Sequence, residues 1–370
     1  MVSIPNNRID WIDQLKGFLL LVVCIGHLYI NDFLNSLVTL SHPFELTTFY
    51  FLSGYLFNET KYNPQLYVRK KIKTLLIPYI SLSTLFCILD PRLWNIDYIQ
   101  VENLIQHKMY PLCHISNTII TELQYLHLQF LSIFFIGISS PITGPLWFVF
   151  TLFCTSLLFY FIWYKLKNNI VLYIICAFTS LGISFLLNLH SICLPFSIQN
   201  ILTAFFFFTI GFVQKKIIML LQSFDSKKLL AIIVINLLIY FVGININGCV
   251  GLYMNALGNN FFGLLLSTIS GIFFITTTFI FFSKIKYFYF IKGIFKLITQ
   301  NAIIILAIHY YTYRCCRIFL HDYINEPWFP YLSLFIVIII CTISIPIFRN
   351  KLYWMIGKEK ISMKESLSLD

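Results

Sequence analysis

The chain has 370 residues, of which 58% are hydrophobic, 18% aromatic and only 11% charged. A soluble domain usually carries about 25% charged residues, so a soluble globular fold is excluded and an all-α polytopic membrane protein is expected. The net charge of +11 does not point to nucleic acid, because basic residues in a membrane protein mark its cytoplasmic loops.

The first apolar run is too long for the apolar part of a cleavable leader. No small-residue cleavage site follows it, so it is expected to remain as the first helix. With about 20 residues needed for a span, ten apolar segments can be marked off. They lie at approximately 17–34, 43–58, 74–90, 145–164, 169–189, 198–214, 229–246, 261–283, 297–313 and 329–348. The second and ninth are short and contain polar groups. With the N-terminus placed in the cytoplasm, every Lys and Arg except Arg92, Lys108, Arg314 and Arg317 falls on the inner side, as the positive-inside rule requires. Both termini are therefore expected inside. Residues 1–350 read as one integral membrane domain and 351–370 as a cytoplasmic tail. The long connection of about 91–145 is expected outside and contains the apolar stretch FLSIFFIG at 130–137. It reads either as a functional loop or as a flap on the membrane surface. The cysteines lie mostly inside apolar runs (Cys24, Cys87, Cys154, Cys176, Cys341), where they behave as small hydrophobes. No CxxC pair and no set of Cys/His spacings typical of a metal site occurs, so neither a disulfide framework nor a metal site is expected.

The first segment carries two ionisable residues, Lys16 and His27. Eleven residues at about 100° each bring them to within roughly 20° on a helical wheel, about 16 Å apart along the axis. One face would then carry a cation at the cytoplasmic rim and an imidazole near the middle of the bilayer. Intramembrane ionisable groups are costly and usually line a cavity or pathway. The alternative for His27 is a hydrogen bond that locks two helices together.

In the second segment a hairpin would bring Thr47 and Thr48 to the depth of His27, with Glu45 one turn further out and within reach of the imidazole. Ser53 and Gly54 are small and permit close helix packing. Arg69, Lys70, Lys71 and Lys73 follow as a basic cluster. They either set topology and touch anionic lipid or hold the phosphates of a ligand. A phosphate-binding cluster inside, a histidine halfway across and a long loop outside suit a reaction between a cytoplasmic phosphorylated donor and an acceptor from the other side.

At these residues the chain resembles membrane acyltransferase family 3, and in particular its fucose 4-O-acetylase-like branch. RIDWIDQLKGFLLLVVCIGHL (8–28) is similar to that family's first helix, where an Arg or Lys precedes a His by ten intervening residues, here Lys16 and His27. FYFLSGYLF (49–57) resembles its Phe-rich Ser-Gly helix and RKKIKTLLIP (69–78) its basic stretch ending in Pro. GPLWFVFTL (144–152) resembles its Leu-Trp-Phe element, and QNAIIILAIHYY (300–311) a late helix ending in His. The resemblance implies a membrane O-acetyltransferase of the bacterial plasma membrane. The donor would be cytoplasmic acetyl-CoA, with no permanently bound cofactor. The acceptor would be a sugar hydroxyl of a surface glycan or its lipid-linked precursor. His27 is then the catalytic histidine, while Lys16, Arg69, Lys70, Lys71 and Lys73 hold the coenzyme A phosphates. Where the branch often has Phe-His-Met-Pro, this chain has Phe44, Glu45, Leu46 and Thr47. Either Glu45 takes over an orienting role or acceptor handling differs, and His42 is near enough in the sequence to substitute.

A positioned histidine can remove the proton of a sugar hydroxyl as it attacks a thioester; alternatively, His27 accepts the acetyl group covalently. Trp147 would pack on a sugar ring or serve as an interfacial tryptophan. Ser53 is a further candidate acceptor contact, and His309 would bind acceptor or brace the core. The competing function is a transporter or flippase of a glycan or lipid intermediate. Inverted repeats would support it, and none is visible.

Overall fold

The computed structural model describes residues 9–28, 30–58, 63–90, 130, 133, 144–166, 169–192, 194–248, 250–285 and 289–359. The expected outer loop, apart from Phe130 and Ile133, and residues 360–370 of the tail lie outside the described residues. Among those described, the regular structure is helical, with one isolated bridge between Gly251 and Ala256.

Helix α1 (Asp10–Gly26) stops well short of the expected end at residue 34. The cause lies in the next residues. Asn31 caps α2 (Asp32–Tyr55), its side chain accepting the Leu34 N–H at 2.9 Å, and Asp32 occupies the first turn. A side-chain cap satisfies a free backbone donor, and an acidic residue suits the positive end of the helix dipole. α2 then continues through Pro43 instead of starting there. Gly26 lies against the Val38 side chain, so His27 is level with the turn 38–42 of α2 and not with Thr47 and Thr48.

The basic run forms α3 (Pro64–Lys71), capped by Asn63, and leads through a π-helical turn (Ile72–Leu76) into α4 (Ile77–Ile88). Pro78 lacks the N–H that would continue an α-helical ladder. The wider turn gives the Ile77 N–H the Ile72 carbonyl instead. The remaining helices are α5 (Trp147–Leu166), α6 (Ile170–Leu189), α7 (Ile198–Val213), α8 (Lys215–Ser223), α9 (Ser226–Asn247), α10 (Phe261–Ser283), α11 (Tyr289–Gln300), α12 (Ala302–Phe319) and α13 (Phe329–Asn350).

Among the described residues, seven helical stretches are long and apolar enough to cross a membrane: Pro64–Ile88, Gly144–Leu166, Ile170–Leu189, Pro195–Val213, Ser226–Asn247, Phe261–Ser283 and Phe329–Asn350. The pair α11 and α12, bent by 83° at Asn301, makes an eighth if it is one broken span. The other two expected spans are α1, which is shorter, and α2, which carries Asp32, His42 and Glu45.

α7 sits at the centre, with Phe205, Phe206, Phe207 and Phe208 all buried. A helix that is apolar all round belongs in a core. It crosses α2 where Gly54 meets the Phe208 carbonyl and Gly211 meets the Phe51 carbonyl, and a Cβ at either glycine would collide with backbone. α1 and α10 complete the packing around α2. α9 and α13 expose Leu238, Val242, Phe335 and Ile343 along their outer faces, which suits contact with lipid. Residues 351–359, expected to be solvated, fold back on the bundle, with Met355 and Ile356 buried against Leu82, Phe86 and Phe348.

Candidate active site

The early end of α1 decides where His27 stands. It is the residue that closes the helix, and it is half-buried. Two side chains of α12 face it. The His309 ring is centred 5.6 Å away, and the Tyr310 ring lies edge-on at 4.9 Å. His42 of α2 is also close enough for an electrostatic interaction.

His309 is 1% exposed. Its Nδ1 is 2.7 Å from the Ile305 carbonyl one turn earlier. A carbonyl oxygen only accepts, so Nδ1 carries the proton and the lone pair of the neutral ring lies on Nε2. That Nε2 is buried and has no hydrogen-bond partner among the described residues.

Gly144, in the 3₁₀ turn before α5, sits against the Tyr310 ring. This contact brings the start of α5, which carries Trp147, against α12 beside His27. Trp147 is buried, packed on Tyr253 with ring centroids 5.6 Å apart and on Phe148.

Glu45 belongs to another neighbourhood. It is buried and accepts a hydrogen bond from Ser41 at 2.8 Å. Its other oxygen is 4.0 Å from His42 Nε2, and Tyr240 of α9 lies within electrostatic range. Among the described contacts none joins Glu45 to His27. The hairpin expected from residue 43 would have paired them; the register set by Gly26 and Val38 does not. Ser53 bonds its own helix at Phe49, beside the glycine crossing with α7.

The opposite end of α1 carries Lys16, which interacts electrostatically with Asp13 and with Lys71. Lys70 interacts with Lys71 as well, and the Lys71 ammonium lies 5.4 Å from the centre of the Tyr67 ring. Lys16, Lys70 and Lys71 are therefore gathered. Arg69 is exposed on α3. Lys73 is paired with Glu359 at 2.5 Å. No group of His, Cys, Asp and Glu that could hold a metal occurs among the described residues.

A family model described as an acyltransferase domain, acyltransferase family 3, matches residues 9–347. The chain belongs to this family. The match runs from the residue before α1 almost to the end of α13, so His27, His309 and the lysine cluster all fall within the acyltransferase domain. Acyltransferase family 3 is a family of membrane acyltransferases, and the apolar helices place the protein among integral multi-pass members. No curated protein and no solved structure shows significant similarity to the chain.

Tyr310 follows His309 directly, and no local pattern in the sequence singles it out; the approach of α12 to the end of α1 brings its ring against His27.

Proposed function

We propose that this family 3 acyltransferase moves an acetyl group from cytoplasmic acetyl-CoA to a sugar hydroxyl of a surface glycan or its lipid-linked precursor. It would work in a bacterial plasma membrane, in the manner of the fucose 4-O-acetylase-like branch. The observation that carries the reading is the layout of α1. Lys16, gathered with Lys70 and Lys71, stands at one end. His27 stands about 16 Å away at the other, beside His309 and Tyr310. Acetyl-CoA has the same layout, with phosphates at one end and a thioester at the other end of a long arm. Lysines suit the phosphates as charge-assisted donors.

In the reaction His27 takes the hydroxyl proton as the sugar oxygen attacks the thioester carbonyl. The C–O bond forms, the C–S bond breaks, and the thiolate of coenzyme A takes the proton back from the imidazolium. General-base assistance of this kind contributes about 10²–10⁴-fold. The test is His27→Ala in the full chain, with insertion verified and acetyl transfer from labelled acetyl-CoA measured. A loss of roughly 100-fold or more is expected. Near-normal transfer by a well-inserted variant removes His27 from the chemistry. Glycan movement across vesicles without consumption of acetyl-CoA would instead make the protein a transporter.

A further inference from the structure

We propose that His309 is the positioning residue for His27: its buried Nε2 accepts the N–H that His27 turns away from the acceptor hydroxyl. The inference rests on the proposed acetyl transfer and on His27 as its base.

The lone pair is in place before any substrate arrives. The Ile305 carbonyl holds the proton of His309 on Nδ1, which leaves Nε2 as an acceptor. A buried acceptor without a partner is costly, and among the described residues Nε2 of His309 is one. The His27 ring is centred 5.6 Å away and tilted by 35°. A small rotation of the half-buried His27 brings an N–H of its ring into hydrogen-bonding range of Nε2. Bonds of this kind are often long without substrate and tighten during reaction. Glu45, the other candidate for orienting His27, is bonded to Ser41.

The pairing matters most when His27 becomes charged. An imidazole that takes a proton from a hydroxyl on one nitrogen has a second N–H with positive charge on it. In apolar surroundings that N–H needs an acceptor. His309 supplies one and fixes which nitrogen of His27 faces the hydroxyl. His309 stays neutral throughout. The proton remains on His27 until the thiolate of coenzyme A removes it.

Two substitutions separate positioning from bracing. In H309N the amide nitrogen can keep the bond to Ile305, but nothing reaches His27. In H309Q the amide oxygen can stand where Nε2 stood, but the bond to Ile305 is lost. Steady-state acetyl transfer and thermal melting are measured for both in the detergent-solubilised full chain, with methyl hexopyranosides as acceptors. H309N is expected to lose roughly 10–100-fold in kcat, the usual cost of removing a partner that orients a working side chain, with both KM values unchanged. H309Q is expected to retain more kcat than H309N despite the lower melting temperature. Wild-type kcat in H309N, or H309Q falling at or below H309N, overturns the proposal and leaves His309 as a structural brace. An active His27→Ala variant overturns the choice of base, and this pair with it. An inactive His27→Ala variant beside a fully active H309N overturns His309 alone.

Discussion

Glu45 and Ser41 are four residues apart on one helix, and their 2.8 Å bond is a local i, i+4 contact of the kind any helix offers. A helix beginning at Pro43, where proline is favoured, would leave Ser41 in a loop. With α2 running through Pro43, Glu45 has its partner on its own helix. Glu45→Gln keeps an acceptor for Ser41, so kcat and both KM values are expected within about threefold of wild type in steady-state assays. A large fall in kcat alone would return Glu45 to His27. The lysines divide in the same way. Lys71 is gathered with Lys16 and Lys70, whereas Arg69 is exposed. Lys71→Gln is therefore expected to raise the KM for acetyl-CoA by roughly tenfold, the worth of one charge-assisted bond, and Arg69→Gln by much less. Equal effects would mean that the donor's phosphates sit outside the Lys16 end of α1. His27 and Lys16 were legible from their spacing alone; their neighbours were not, because those come from α12 and α3.

The segment after α13 shows how an element can escape composition. KLYWMIGKE (351–359) is polar enough to read as a solvated tail. Its Met355 and Ile356 are buried, Ser81 donates to the Met355 carbonyl at 2.7 Å, and Gly357 turns with φ +65° directly against the Lys73 carbonyl. A side chain at that glycine would be strained in conformation and would collide with backbone. Ile356→Ala is expected to cost about 2–4 kcal/mol, measurable by thermal or denaturant unfolding in detergent. Glu359→Gln is expected to change stability little, because exposed ion pairs contribute little. The hydrogen bond and charge of Lys73 hold the Glu359 carboxyl below the usual carboxylate range. Its small contribution is thus present above the ordinary carboxylate pKa and lost as the pH falls through the lowered value. If Ile356→Ala melts like wild type, the segment is a free tail after all.

At the scale of the whole molecule, the distribution of basic residues makes the strongest claim. Both termini inside require an even number of crossings. The seven stretches among the described residues that are apolar and long enough need an odd number more, and α1, α2 and the bent pair α11 and α12 supply three. Single cysteines for membrane-impermeant labelling at about residues 110 and 360 are expected to react from opposite sides. Six of the seven stretches and the bent pair lie between the two sites, so labelling of both from one side would mean that the bent pair does not cross.

Composition by itself decided the membrane environment, because a chain with so few charges cannot cover a soluble surface. Periodicity decided that Lys16 and His27 share a face of one helix, since that is a property of the helix alone. The positions of the apolar runs decided where most helices lie. What surrounds His27 was decided only when α1 ended at Gly26, α2 passed through Pro43, and α12 brought His309 and Tyr310 against the end of α1. Those contacts join residues nearly 300 positions apart. They depend on glycine crossings and packing between helices, and no local pattern in either segment encodes which helix the other will meet.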